Sequence, residues 1–307
     1  VKTEEGWKEE NWKKFAELGL LGVPFEEDHG GLGGEATDIM IVMEQFGKGL
    51  VVEPYMPSII LAGGLISKLG SADQKNSIIP EIISGDRRYV FAYAEPQSRF
   101  DLFDVKCSAT HDGDNYTING FKSVVFGAGM ATHLIISART EGDQRSKSGI
   151  TLFLVDIKSD SITLQNYPTI DEYRASEVVI ENLSVSKENI LGELGNSYEA
   201  IEEQVDLSTI AICSEAVGIL QVLKDSTNDY CKNRKQFGQP ISANQAIQHR
   251  LVDMMIEYEQ AKSILYMAIT ADLSNPDERR KAASAAKARI GKAIKFVGEN
   301  AIQLHGG

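Results

Sequence analysis

The chain has 307 residues, 42% of them hydrophobic and 24% charged, and its 44 acidic and 31 basic side chains leave a formal net charge of −13. Such a length and composition fit a globular protein of two or three structural units with a sizeable core. The acidic balance argues against general nucleic-acid binding, which needs a basic surface to neutralise phosphates, but leaves room for an anionic small ligand held by local cations.

Three cysteines, Cys107, Cys213 and Cys231, are an odd set without metal-type spacing, which points to a reducing compartment and a cytoplasmic location. No uninterrupted apolar run reaches the ~18 residues of a bilayer-spanning helix, and no secretory leader is visible.

Residues 1–88 read as an N-terminal helical domain. "NWKKFAELGLLGVPF" sets Trp12, Phe15, Leu18 and Leu21 at helical spacing, with Gly22 and Pro24 as the predicted stop. "DHGGLGGEATD" (Asp28 to Asp38) is glycine-rich but lacks the GxGxxG spacing, the Lys-Ser/Thr of a P-loop and a preceding strand, so it reads as a tight interhelical turn with glycines at positive φ. "EATDIMIVMEQFGKGL" and "PSIILAGGLISKLG" continue the helical period, and "SADQKNSIIPEIISG" opens on the N-cap candidate Ser71 and closes at Gly85.

From residue 89 to 187 the period changes to two. "THLIISART", "GITLFLVDI", "SITLQNYP" and "SEVVIENLSV" are short β-branched runs, and Asn119-Gly120 within "YTINGFKSVVF" predicts a hairpin turn. This spacing of short strands predicts a compact barrel or sandwich and not a parallel Rossmann sheet. Residues 188–307 are helical again: Ile210, Cys213, Val217, Leu220 and Leu223 mark one helix, and Ile247, Leu251, Met254, Tyr258, Ala261 and Leu265 a second. Asn275-Pro276 opens a third, Ala-rich helix. The fold class is therefore α+β, multi-domain, in the order helices, β-domain, helical bundle.

His29, His111, His133, His249 and His305 are scattered without ligand-type spacing, so no metal site is assigned, and no GxSxG stretch supports a hydrolase. Arg279, Arg280, Lys281, Lys287, Arg289, Lys292 and Lys295 read as the solvated face of the last helix. The stretch "RKQFGQPISANQAIQHRLVDMM" (Arg234 to Met255) carries more chemistry than a linker needs. Arg234 offers a fork for phosphate oxygens, Phe237 can cover an aromatic ring, and Gly238 allows close backbone approach. Equally, Arg and Lys there can simply favour a helix C-terminus. The residues alone leave both readings open.

The α–β–α order, "RKQFGQPI…QAIQHRLVDM", "ELGLLGVPFEEDHGGLGG", "YTINGFK" and the terminal "AIQLHGG" together resemble the acyl-CoA dehydrogenase family over essentially the whole chain. The resemblance implies two helical domains around a β-domain, assembled as a dimer or tetramer of like or unlike chains. It implies FAD as cofactor, an acyl-CoA thioester as substrate and an electron-transfer flavoprotein as acceptor. By the same match Arg234, Phe237, Gln303, Gly306 and Gly307 are FAD contacts given to a neighbouring subunit, and Asp206 contacts the CoA chain.

Several positions depart from the family pattern. "YAEPQSRFDLFD" has Ala94 in place of the threonine of a Thr-Glu-Pro and no Gly-Ser-Asp after it. Val124-Val125-Phe126-Gly127 replaces a Trp-x-Thr-Asn, and Thr209 stands where an arginine is expected near Asp206. The family's usual glutamate base falls beyond Gly307 and the alternative base position holds Ser208, so no catalytic residue is assigned. The pattern is most similar to a divergent bacterial branch in which two unlike chains can share the work, each supplying part of the FAD and catalytic sites. On this resemblance the chain is an acyl-CoA dehydrogenase-type flavoprotein. Two alternatives stand beside it: a non-catalytic subunit that completes a partner's FAD site, and a flavin monooxygenase or nitroalkane oxidase on the same fold.

Overall fold

The computed structural model describes residues 6–306, in two units: one drawn from Val1–Gly34 and Val52–Val205, the other from Glu35–Val51 and Asp206–Gly307.

In the first unit, α1 (Glu9–Glu17) buries Trp12 completely and leaves Leu18 exposed. The helix ends earlier than the predicted stop at Gly22 and Pro24, because Gly19 takes a left-handed φ of 75° and Leu20–Gly22 form a separate 3-10 turn. The Asp28–Asp38 loop is a tight turn, with Gly30 and Gly33 at positive φ. Gly31 has no room for a side chain, since an added Cβ would collide with the Phe25 carbonyl. A buried π-helical stretch, Tyr55–Ala62, leads into α3 (Gly63–Leu69). Ser71 caps α4 (Ala72–Ile83) by accepting the Gln74 N–H at 3.2 Å.

Eight strands follow: β1 (Tyr89–Ala92), β2 (Ser108–Asp112), β3 (Asn115–Phe126), β4 (His133–Arg139), β5 (Ile150–Asp156), β6 (Ile162–Pro168), β7 (Arg174–Ser186) and β8 (Ile190–Leu191). They form one mixed sheet in the order β6-β7-β3-β2-β4-β5-β8, with β1 parallel beside β4. β1, β4 and β5 are buried along nearly their whole length, which explains the continuous apolar runs "LIISA" and "TLFLV" in place of strict alternation.

The predicted hairpin turn at Asn119-Gly120 is not there. β3 runs straight through it, and the chain reverses at Gly113-Asp114, where Asp112 pairs with Asn115 and Gly113 sits at φ 64°. Asn119-Gly120 is instead a bulge opposite β7: the Asn119 Oδ1 accepts the Asn182 N–H at 2.7 Å, and Gly120 lacks a Cβ where Cys107 would collide with one.

At the centre of this unit Lys122 Nζ lies 2.7 Å from Glu95 Oε1, and the two side chains are 0% and 2% exposed. Lys122 also donates to the Ser137 hydroxyl at 3.0 Å, while Glu95 accepts the backbone N–H groups of Lys106 at 2.8 Å and Cys107 at 3.1 Å. Burial pushes the Glu95 carboxyl up, but the Lys122 ammonium, its hydrogen bond and the Gln97 and Lys106 donors outweigh that and hold it below the usual carboxylate range.

In the second unit α5 (Tyr198–Asn233), α6 (Gln245–Ile269) and α7 (Pro276–His305) form a bundle with α2 (Ala36–Gly49), α5 belonging to this unit from Asp206 onward. Its core holds Met40, Cys213, Val217, Leu220, Met254, Leu265 and a run of α7 alanines. Gly47 of α2 and Gly218 of α5 let the two backbones touch, since a Cβ on either would strike the other helix's carbonyl at Glu215 or Glu44. Asn275 caps α7 by accepting from the Asp277 and Glu278 N–H groups, with Pro276 as first residue. Among the described residues α5 is the one helix long and apolar enough to cross a membrane by length and composition, and residues of its second-unit portion are buried in this core.

Replacing Lys122 with Met strands a buried carboxylate and is expected to cost about 3–5 kcal/mol, read as a fall in the denaturant midpoint. Glu95 titrates lower in the folded chain than its reference value of 4.5, so its pairing stabilises above that pH and is lost as pH falls through the folded value. Glu95→Gln should therefore flatten the dependence of stability on pH on the acid side of 4.5, a slope measurable by denaturation at stepped pH.

Candidate cofactor and substrate site

In the first unit the two segments that depart from the family pattern lie side by side. The Ser123 N–H donates to the Ala94 carbonyl at 2.9 Å, joining the strand end after β1 to the end of β3. There the β3–β7 register shifts between Lys122 and Val125, and Val124 is forced to a φ of 52°. A β-branched residue in the left-handed region is strained, and such outliers cluster where a site is held in shape. Val124 and Phe126 are each 43% exposed, and the Phe126 ring lies 6.1 Å from that of Tyr173. Gly127, at φ 77°, packs near Pro57 of the π-helical stretch. The result is an apolar, ring-bearing surface beside a strained bulge, suited to a flat aromatic group. The loop expected to carry Gly-Ser-Asp makes a different turn: the Ser98 hydroxyl donates to the Glu95 carbonyl at 2.9 Å, Arg99 is left-handed and Phe100 is 97% exposed.

In the second unit α5 gives way to a short hairpin, β9 (Lys235–Gln236) and β10 (Gln239–Pro240), whose two-residue turn is Phe237-Gly238. Both turn residues have positive φ, 53° and 82°, as the right-handed twist of a tight hairpin requires. Asn or Gly is the ordinary occupant of the first position. Phe237 instead stands there fully exposed, so the turn spends stability to display a ring. Arg234 is exposed one turn after Tyr230, whose carbonyl accepts the Arg234 N–H at 2.8 Å, and no described residue forms an ion pair with its guanidinium.

The C-terminus of α7 reaches the same end of the unit. The His305 ring stacks on Tyr230 with centroids 4.3 Å apart. Gln303 is exposed, and Gly306 closes the helix at φ 116° with open space where a Cβ would be. Arg234, Phe237, Gln303 and Gly306 are thus gathered at one end of the bundle, while Gly307 lies outside the described residues. Nothing in the sequence pairs His305 with Tyr230, so the residues alone could not place these two segments together.

Asp206 is not part of that group. It stands near the start of α5, and the helix runs unbroken to Asn233, a separation of about 40 Å at 1.5 Å per residue. Its carboxylate meets Arg279 Nε at 3.3 Å. Arg279 is only 2% exposed, so the reading of the α7 cations as a solvated face fails at this residue while Arg280, Lys281, Lys287, Lys292 and Lys295 are exposed. Ser208 is buried and its hydroxyl has no hydrogen-bond partner. Among the described residues no cluster of His, Cys, Asp or Glu could hold a metal.

Comparison with known proteins matches three family models in succession: the acyl-CoA dehydrogenase N-terminal domain at residues 1–86, the middle domain at 90–183 and the C-terminal domain at 198–307. The chain belongs to the acyl-CoA dehydrogenase family. It is 32% identical over 304 residues to the probable acyl-CoA dehydrogenase YngJ of Bacillus subtilis, covering 97% of this chain and 80% of that protein. To the caffeyl-CoA reductase-Etf complex subunit CarC of Acetobacterium woodii it is 30% identical, covering 96% and 78%. The solved structure of the Tcur3481-Tcur3483 steroid ACAD G363A variant superposes with a TM-score of 0.85 at 29% identity, covering 100% of this chain and 80% of that one.

The family's cofactor is FAD. An unpaired, exposed guanidinium, a displayed ring and an open glycine helix end fit a dinucleotide's phosphates and rings. Phe237→Asn should raise stability by about 1 kcal/mol by relieving the turn, yet weaken FAD retention. Arg234→Ala should loosen FAD by roughly ten- to a hundredfold, the worth of a hydrogen bond to a charged group. Both follow from thermal melts and flavin release by the native assembly.

Proposed function

We propose that the chain is a subunit of an FAD-dependent acyl-CoA dehydrogenase that forms an α,β double bond in a CoA thioester of a dicarboxylic, branched or ring-bearing acid. Bound FAD would supply the acceptor for the β-hydride, with an electron-transfer flavoprotein as the onward partner, in keeping with the Etf complex named for CarC. The chain's own residues bind and orient. Asp206 holds the CoA chain, the Ala94–Phe126 surface faces the flavin, and Arg234, Phe237, Gln303, Gly306 and Gly307 grip the adenosine and phosphate portion of a neighbour's FAD.

The observation that carries this reading is the distance along α5. Asp206 and the loop at Arg234 lie about 40 Å apart along α5, a separation that supports different ligands for the two groups and a cofactor grip directed to a neighbour. The neighbour in this reading is an unlike chain. The residues of the outward grip match the family pattern, whereas the flavin-facing surface has Ala94 for a hydroxyl, Phe126 for another and no Gly-Ser-Asp. A heteromer tolerates that loss, because each chain need keep only what the other lacks. The same depletion favours a second reading, a non-catalytic chain that completes its partner's site.

Expressed alone, the chain is expected to purify with clearly less than one FAD per subunit, and co-expression with an unlike dehydrogenase chain to restore flavin to about half of the chains. A homo-oligomer carrying one tight FAD per chain and turning over an acyl-CoA would refute the heteromer and leave the family standing.

The proton-abstracting base is also proposed to lie outside residues 1–307, since a neutral hydroxyl such as that of Ser208 is a poor general base near neutral pH. Ser208→Ala and Glu215→Gln should each leave α-proton exchange of the bound thioester intact. Loss of exchange in either variant, with fold and FAD content preserved, contradicts this.

A further inference from the structure

Arg279 is an arginine in an expensive place. It is the fourth residue of α7, near the positive end of the helix dipole, and it is almost wholly withdrawn from water. Its Nε donates to Asp206 Oδ2 at 3.3 Å and its Nη1 to the Leu273 carbonyl at 3.2 Å, while its backbone N–H donates to the Asn275 carbonyl at 2.9 Å. The side chain therefore ties the first turns of this unit's α5 to the capped loop that opens α7. Buried ion pairs can often be replaced by apolar residues without loss of stability, so the pair's worth lies in the geometry that it fixes.

That geometry is selective. The Asp206 side chain remains 18% exposed while its guanidinium partner is 3% exposed. Arg279 thus holds Asp206 from the protein side, and part of the Asp206 side chain still reaches the surface. One turn further along the helix, Thr209 occupies the position where the family resemblance leads one to expect an arginine. At this turn a guanidinium arrives from α7 instead of from α5 itself.

We propose that Arg279 is a positioning residue for CoA binding: it orients the Asp206 carboxylate to accept a hydrogen bond from the amide-bearing chain of coenzyme A. The inference rests on the reading of Asp206 as a CoA contact, and the test separates the two. The probe is free coenzyme A, titrated calorimetrically into the FAD-loaded native assembly of the wild type and of the Asp206→Asn, Arg279→Gln, Arg279→Lys and Asp206→Asn/Arg279→Gln variants, with thermal midpoint and flavin content recorded for each.

Arg279→Gln is expected to weaken coenzyme A about tenfold with flavin content unchanged, and Arg279→Lys, which keeps the charge but loses the fork, to weaken it less. The double variant should bind no worse than Asp206→Asn, the non-additivity of two groups acting as one. If Asp206→Asn binds coenzyme A like the wild type, the reading of Asp206 falls and the inference falls with it. If Asp206→Asn is weakened while Arg279→Lys and Arg279→Gln bind normally, whatever their midpoints, the reading stands and Arg279 is a fold residue only. Should Arg279→Gln fail to fold, Arg279→Lys decides: wild-type affinity overturns the inference, and weakened affinity at an unchanged midpoint supports it.

Discussion

The first unit is organised around a single buried ion pair. Lys122 and Glu95 meet with almost no water contact, and each binds a different part of the sheet: Lys122 reaches Ser137 on β4, and Glu95 receives the backbone N–H groups that precede β2. Taking two charges out of water is costly unless the remaining donors and acceptors are satisfied, and here they are. The pair adjoins both segments of the proposed flavin face, Ala94 preceding Glu95 and Ser123–Phe126 following Lys122. Side chains on that surface can therefore differ from the family pattern while the backbone beneath is fixed from inside.

Much of the architecture was legible because it depends on local physics. The helical periods, the Ser71 and Asn275 caps and the Asp28–Asp38 glycine turn follow from residue type and spacing, and the structure contains each of them. Where local signals misled, a long-range contact had prevailed. Asn119-Gly120 has the composition of a hairpin turn, but Gly120 is needed where Cys107 passes the strand and Asn119 is needed to hold Asn182. Similarly, no charge pattern along α7 distinguishes Arg279 from its exposed neighbours, because its partner is 73 residues away.

The candidate site was readable in its pieces and not in their grouping. Arg234 and Phe237 announce themselves by being superfluous in a linker, yet only the Tyr230–His305 stack shows that the end of α7 shares their location. The strain is likewise invisible to composition. Phe237 and Val124 are ordinary residues in the sequence and outliers in the backbone, at φ 53° and 52°. Both displace the usual economy of folding, in which exposed turn and bulge positions go to residues that fit them easily.

The uninterrupted length of α5 gives these pieces a fixed phase. Between Asp206 and Asn233 the chain has no break at which an error could be absorbed. A single residue inserted or deleted in that interval would turn one end against the other by about 100° and shift it by about 1.5 Å. Gly218 sits within the interval with no space for a side chain, so the helix cannot slide along α2 to compensate. Side chains at either end of the helix can therefore be exchanged one at a time, whereas the count of residues between them acts as a ruler that a single insertion or deletion would spoil.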